Sequence, residues 1–238
     1  LGVDVERALA ELTRHEQISG AEILLLQEMD EEGTERIART LAYNYVYYPA
    51  SVHTATGRNF GNAVLSRYPI VADEKILLPH GNMTRGQRRI AVRTLIEIEN
   101  QCVQVYSVHT ENLSLEMDKR LEQVDTLLSS VPAYPYVAVV GGDFNTIEAP
   151  ALTATVEAFG ERAFEWASED TGTTASFSVI DVQTDHVFTR GLDVRGSGQI
   201  ETANASDHKP IWVDVSRITD SPTGETPQGC QPSGHPAE

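Results

Sequence analysis

Apolar residues follow two rhythms along this chain. Val5, Ala8, Leu9 and Leu12 recur at the spacing that gives a helix over residues 4–18 one apolar face. The same period returns over 31–42, and again over 114–130 through Leu115, Leu121, Val124, Leu127 and Leu128, with Ser114 the candidate N-cap. Met117 at N3 completes no capping box. A shorter helix is predicted near 149–158. Between these segments lie short apolar or alternating runs that read as strands: EILLLQ running up to Glu28, YVYYP, GNAVLS, IVADEKILLP, RRIAVRTLIEIE, CVQVYSVHT, VAVVGG, HVFTR and IWVDV. Residues 168–184 are polar and predict no regular element. Strands in quick succession with few helices point to an α/β (α+β) fold of two packed sheets flanked by helices, not to regular βαβ alternation.

With 238 residues, 40% of them hydrophobic, the chain has material for one substantial core. The expectation is one domain over residues 1–218 and a disordered tail over 219–238, where Pro, Gly and Ser replace apolar residues. The longest apolar runs, 23–26 and 136–140, fall far short of the roughly 20 residues a helix needs to cross a bilayer. The net charge of -17, from 18 basic and 35 acidic residues, argues against tight non-specific binding to a phosphate backbone by counterion release. A local arginine cluster with a divalent cation can still present a positive site inside a negative surface. Cys102 in a predicted strand and Cys230 in the polar tail are expected to remain unpaired.

The most telling stretch is VAVVGGDFNT, residues 137–146, where a buried run delivers Asp143 and Asn145 to one point. Gly141 and Gly142 allow the backbone to turn and to approach a neighbour closely. Such an exit suits Mg²⁺ or Mn²⁺, or a carboxylate that steers a water; taken alone it also fits an Asx turn. Three more strands end in metal-binding or proton-transfer groups: Glu28 in LLLQEMD, His109 in VQVYSVHTEN, and Asp207 with His208 just ahead of IWVDV. Arg85, Arg88, Arg89 and Arg93 form the densest basic stretch, and Arg89 is a candidate for bidentate phosphate binding, with a solvated strand face as the alternative. His53, Arg58 and Asn62 flank GNAVLS and are candidate substrate contacts. No cluster interleaves aromatics with Lys or Arg as single-strand binders do.

Taken in order, LLLQE, VHTEN, GGDFN, TDHVF and SDHKP resemble the endonuclease/exonuclease/phosphatase superfamily across residues 4–216. The resemblance implies a four-layered α/β sandwich, two mixed β-sheets packed face to face and flanked by helices, that hydrolyses phosphate esters with Mg²⁺ (or Mn²⁺). By motif, Glu28 and Asp207 would bind the metal, Asp143 would orient or deprotonate the attacking water, and Asn145 would bond the phosphate. His208 would act at the phosphoryl centre, with Asp185 of TDHVF holding its imidazole. His109 would contact the scissile phosphate without binding metal, His186 would be a packing residue, and Arg120 and Gln123 would be structural. The family normally opens with a strand bearing an asparagine that helps Glu28, so a further strand upstream of Leu1 is expected. The activity expected is that of a monomeric phosphodiesterase or phosphatase acting on a lipid head group or small phosphate. A DNA endonuclease or exonuclease and a catalytically silent phosphate-binding module are the alternatives.

Overall fold

Asp4 opens the first helix: its carboxylate accepts the Arg7 amide at 3.0 Å, satisfying one of the amides that a helix start leaves orphaned. In the computed structural model, which describes residues 4–53, 57–81, 87–99, 101–132, 137–177, 180–217 and Cys230, this helix is α1 (Val5–Arg14), followed by the short α2 (Glu16–Ser19). Next come β1 (Ile23–Met29), α3 (Glu31–Leu41), β2 (Asn44–Val52), β3 (Asn59–Ser66), β4 (Ile70–Leu77), β5 (Ile90–Ile98) and β6 (Gln101–His109). Then α4 (Met117–Ser129), β7 (Val137–Asp143), α5 (Ala149–Gly160) and β8 (Glu165–Trp166) lead to the pair β9 (Ala175–Phe177) and β10 (Ile180–Val182). The last strands are β11 (Asp185–Arg190), β12 (Leu192–Gln199) and β13 (Ile211–Arg217).

Four layers stack. α1 and α3 cover the antiparallel sheet β1–β3–β2 through Leu9, Ile37, Ala38 and Leu65. The other face of that sheet meets the six-stranded sheet β4–β5–β6–β7–β11–β8 through Val64, Ile90, Val92 and Val105. α4 and α5 cover the far face, where Leu127, Val140, Phe159 and Phe188 pack. Each such side chain contributes roughly 1.5–3 kcal/mol by leaving water, so the three clusters favour this layering over any single sheet exposed on one side. The larger sheet is mixed, β6–β7 being its parallel pair.

Three local expectations are corrected. α4 begins at Met117, because the Ser114 amide is taken by Asn112 Oδ1 at 2.9 Å in a separate turn and Glu116 holds the cap position without a capping side-chain bond. Residues 168–184 contain β9 and β10, which are three-residue strands too short to show alternation, and β12 carries glycines at 196 and 198 that mask its pattern. Cys102 and Cys230 form a disulfide, their Cα atoms 5.3 Å apart across a separation of 128 residues. Nothing in that spacing reveals the pairing, which the return of the chain onto β6 creates. The rest of the tail, with its predicted disorder, lies outside the described residues.

Among the described residues, β1 pairs only with β3 and β13 only with β12. A cavity of about 730 Å³ separates their open edges, bounded by Ala8 and Leu12 of α1, Ile37 of α3, and Val139 and Val187 of the larger sheet. One end of it reaches Asp185 and His208.

Candidate active site

Strand register gathers the polar groups. In the parallel β6–β7 ladder His109 stands opposite Asp143, and in the antiparallel β11–β7 ladder Asp185 stands opposite the same Asp143. Three adjacent strands thus end in a row of His109, Asp143 and Asp185, with strands spaced about 4.8 Å apart. Gly142 permits that row. Its φ is 145°, and a Cβ there would lie 2.0 Å from the Val108 carbonyl oxygen, so only glycine lets the two strands approach at this point.

Beyond Asp143 the chain turns through Asn145, whose φ of 49° is left-handed, a conformation asparagine tolerates. Its amide donates to Asp143 Oδ1 at 2.9 Å, while its carboxamide donates to Asp143 Oδ2 at 3.2 Å and to the Thr110 carbonyl at 3.0 Å. The Asx turn and the paired functional groups are therefore one arrangement. His208 arrives from the opposite side, held by a bridge to Ala175 and by the Lys209 amide on the Thr174 carbonyl at 2.7 Å. Its Nδ1 lies 2.8 Å from Asp185 Oδ2.

The charges of these groups depend on one another. Asp143 is 8% exposed, and burial, reinforced by the charge of Asp185, pushes its carboxyl up to about 7 against the pull of His208. Burial works to lower His208, but the hydrogen bond and charge of Asp185, with Asp143 and Asp207, outweigh it and hold the ring at about 9. His208 is thus an imidazolium at neutral pH. His109 moves the other way, since burial and then the Arg89 guanidinium keep it well below its ordinary value. Its 3.5 Å approach to Asp143 Oδ2 is accordingly the contact of a neutral ring, although the distance alone would suit an ion pair.

Ligand atoms of Asp143, Asp185 and His208 all lie within 4.8 Å of one another. Two carboxylates side by side, one of them driven toward neutrality by burial and then by the charge of the other, suit a hard divalent cation such as Mg²⁺ or Mn²⁺; His208 would join as a ligand only after losing its proton. The two expected metal ligands are not in this group. Glu28 stands at the end of β1 with a left-handed φ of 59°, beside Gln27, whose side chain donates to Ser107 Oγ at 2.9 Å and docks that end of β1 on β6. Asp207 is exposed next to His208, with Ser206 Oγ on its carboxylate at 3.3 Å.

Two of the expected substrate contacts are buried on partners within the protein. Asn62 is 1% exposed and donates its carboxamide to the carbonyls of Ile90 at 3.0 Å and Ser107 at 3.2 Å, which makes it a brace between the sheets. Arg89 is buried, paired with Glu111 at 3.0 Å, and its guanidinium lies 2.9 and 3.1 Å from the ring nitrogens of His109. Arg89 therefore acts on His109 from behind; Arg85 lies outside the described residues. His53 is linked to His109 through Phe60, its ring 6.1 Å from Phe60, which is 5.9 Å from His109. His186 is a core residue as expected, fully buried against Phe144 and Trp166, bonded to Thr146 Oγ1 at 2.6 Å, and lowered to about 4 by burial. Glu111 was not among the candidate site residues. It is 1% exposed, its carboxylate accepts from Arg89, and its backbone amide donates to Gln123 Oε1. Only its place two residues after His109 hinted at this.

A model of the Endonuclease/Exonuclease/phosphatase family matches residues 3–208. The chain belongs to that family. A curated relative of this family member is a UPF0294 protein of Vibrio vulnificus, 29% identical over 122 residues, which is 51% of this chain and 42% of that protein. The chain thus aligns with less than half the length of that relative. An endonuclease/exonuclease/phosphatase family protein from Leptotrichia buccalis shares the fold at a TM-score of 0.72 and 19% identity, covering 90% of this chain and 92% of the other. A mannosyl-6-phosphatase from Bacteroides thetaiotaomicron does so at 0.69 and 16%, covering 90% and 91%. At those identities the likeness is one of fold.

Proposed function

We propose that this endonuclease/exonuclease/phosphatase-family chain is a divalent-metal-dependent phosphodiesterase or phosphatase in which a water attacks phosphorus in line. One observation carries the reading: a buried carboxyl near neutrality, Asp143, sits in the same cluster as an imidazolium, His208, that is locked on a second carboxylate, Asp185. Groups whose environments drive their protonation apart are the expected acid and base of a reaction. Asp143 orients the water and accepts its proton. His208, oriented by Asp185 at Nδ1, presents its other N–H to the phosphoryl oxygen and stabilises the charge that develops there. His109 bonds a remaining phosphate oxygen, and Asn145 bonds another by releasing its 3.2 Å bond to Asp143 Oδ2 while keeping Thr110. The Asp143 and Asp185 carboxylates, whose ligand atoms cluster, would hold Mg²⁺ or Mn²⁺, with Glu28 and Asp207 as the further ligands that the sequence motifs imply; the ion when bound supplies positive charge to the phosphate and lowers the pKa of a bound water.

The net charge of -17 favours a lipid head group or small phosphate over a DNA duplex as substrate, taken by a monomer. The test is a panel of plasmid DNA, abasic duplex, sphingomyelin, inositol phosphates and bis-p-nitrophenyl phosphate, each with Mg²⁺ and with EDTA. Turnover of a non-nucleic-acid ester that EDTA abolishes is the expected result; cleavage of plasmid alone makes the chain a nuclease, and binding without turnover makes it a silent module. Asp143→Asn and His208→Ala should each lower kcat by about 10²–10⁴. Unchanged turnover in both would remove this site from the reaction.

A further inference from the structure

Two side chains on one face of α4, three residues apart, reach the two loops that carry the site. Arg120 is 5% exposed. Its Nη1 donates to the Asn145 carbonyl at 3.1 Å and its Nη2 to Glu148 Oε2 at 2.6 Å. Gln123, fully buried, accepts the Glu111 amide at 2.8 Å and donates to the Pro79 carbonyl at 2.6 Å. Burying a guanidinium is costly unless it is paired and bonded, and this one is spent on a carbonyl rather than on a second acid. That carbonyl belongs to Asn145, whose left-handed φ of 49° sets the direction in which its carboxamide leaves the chain.

We infer that Arg120 is a positioning residue, acting through Asn145: its planar fork, tied to Glu148, fixes the peptide that follows Asn145 and so aims the Asn145 carboxamide at Asp143 and the reacting phosphate. The same loop is held from the other side by Thr110, whose hydroxyl donates to the Phe144 carbonyl at 2.6 Å and whose own carbonyl takes the Asn145 carboxamide. Asn145 thus has two walls. The Thr110 wall is carried by the strand end that bears His109, and the Arg120 wall by a helix. Gln123 secures the same helix to the His109 loop at Glu111, which ties the spacing of both walls to α4. Lysine offers three rotatable donors from a single nitrogen in place of the fork, so it loses the fixed angle between the bonds to Asn145 and Glu148.

The inference rests on the proposed phosphoesterase reading, and the experiment separates the two. Wild type, Arg120→Ala, Arg120→Lys, Asn145→Ala and the double variant Arg120→Ala/Asn145→Ala are assayed on bis-p-nitrophenyl phosphate with Mg²⁺, and the exchange of the 145–147 amides is measured. Absence of wild-type turnover defeats the phosphoesterase reading alone, since amide exchange still reports on Arg120. The expected result is a fall of about 10–100-fold in kcat for Arg120→Ala with little change in KM, the cost of a misplaced group. In the Asn145→Ala background Arg120→Ala should cost no more than about threefold, because residues acting as a unit are non-additive. Arg120→Lys, which keeps the charge if Arg120→Ala does not fold, should lose at least about fivefold in kcat and speed exchange at the Asn145 and Ile147 amides while α4 stays protected. Equal losses in both backgrounds, or unchanged kcat and exchange in Arg120→Lys, would overturn the inference.

Discussion

At the scale of single residues, the partner decides what a polar side chain does. Asp143 and Asn145 were legible in the sequence because one short motif keeps each beside the other, whereas His208 was legible only through its motif's family resemblance, its partner Asp185 lying 23 residues away. Arg89 and Asn62 were not, since their partners, Glu111 for one and the Ile90 and Ser107 carbonyls for the other, lie 22 to 45 residues away. His186 gives a prediction at this scale. Its folded value of about 4 lies below the ordinary 6.5, so between those values the unfolded chain binds the extra proton and stability falls as pH falls. The shift corresponds to a loss on the order of 3 kcal/mol from this residue between pH 6.5 and 4. His186→Phe, which cannot titrate, should flatten that part of the stability curve in urea melts from pH 7 to 4; an unchanged slope would show that the buried ring is not its source.

At the scale of elements, strands with uninterrupted apolar runs were readable and those without were not. VAVVGG and CVQVYSVHT lie at the middle of the larger sheet, where positions are mostly apolar or small and a buried polar one such as Gln104 is partnered, here by Arg93. The pair β9–β10 and the glycine-bearing β12 owe their existence to neighbours, because three residues supply too little pattern to stand out. The brace from α4 was half legible: Arg120 and Gln123 at i and i+3 were expected to be structural, but their partners, the Asn145 and Pro79 carbonyls, lie 25 and 44 residues away. Register is the element-scale property on which the site depends, and Gly142 guards it. Gly142→Ala should cost at least about 3 kcal/mol through its φ of 145° and the clash with the Val108 carbonyl, and should abolish turnover by separating His109 from Asp143. A urea midpoint unchanged from wild type would mean that the β6–β7 ladder tolerates a Cβ there.

Across the whole molecule, two features lie outside any motif: the slot between β1 and β13, and the tie from Cys230 back to Cys102. Among the described residues the slot has two open strand edges and apolar walls. The disulfide carries the prediction at this scale. It closes 128 residues, and a loop of that length restricts the unfolded chain enough to contribute roughly 2–4 kcal/mol. Cys102 lies near the start of β6 and His109 at its end, a distance of roughly 23 Å along a strand rising about 3.3 Å per residue. Reduction should therefore lower Tm and leave kcat unchanged at temperatures well below it. A Cys102→Ser/Cys230→Ser variant should melt where the reduced wild type melts, with no further response to reductant, because both lack the same loop closure. If reductant instead lowers kcat at constant fold, the tie reaches the site through β6, and the two ends of that strand are not mechanically independent.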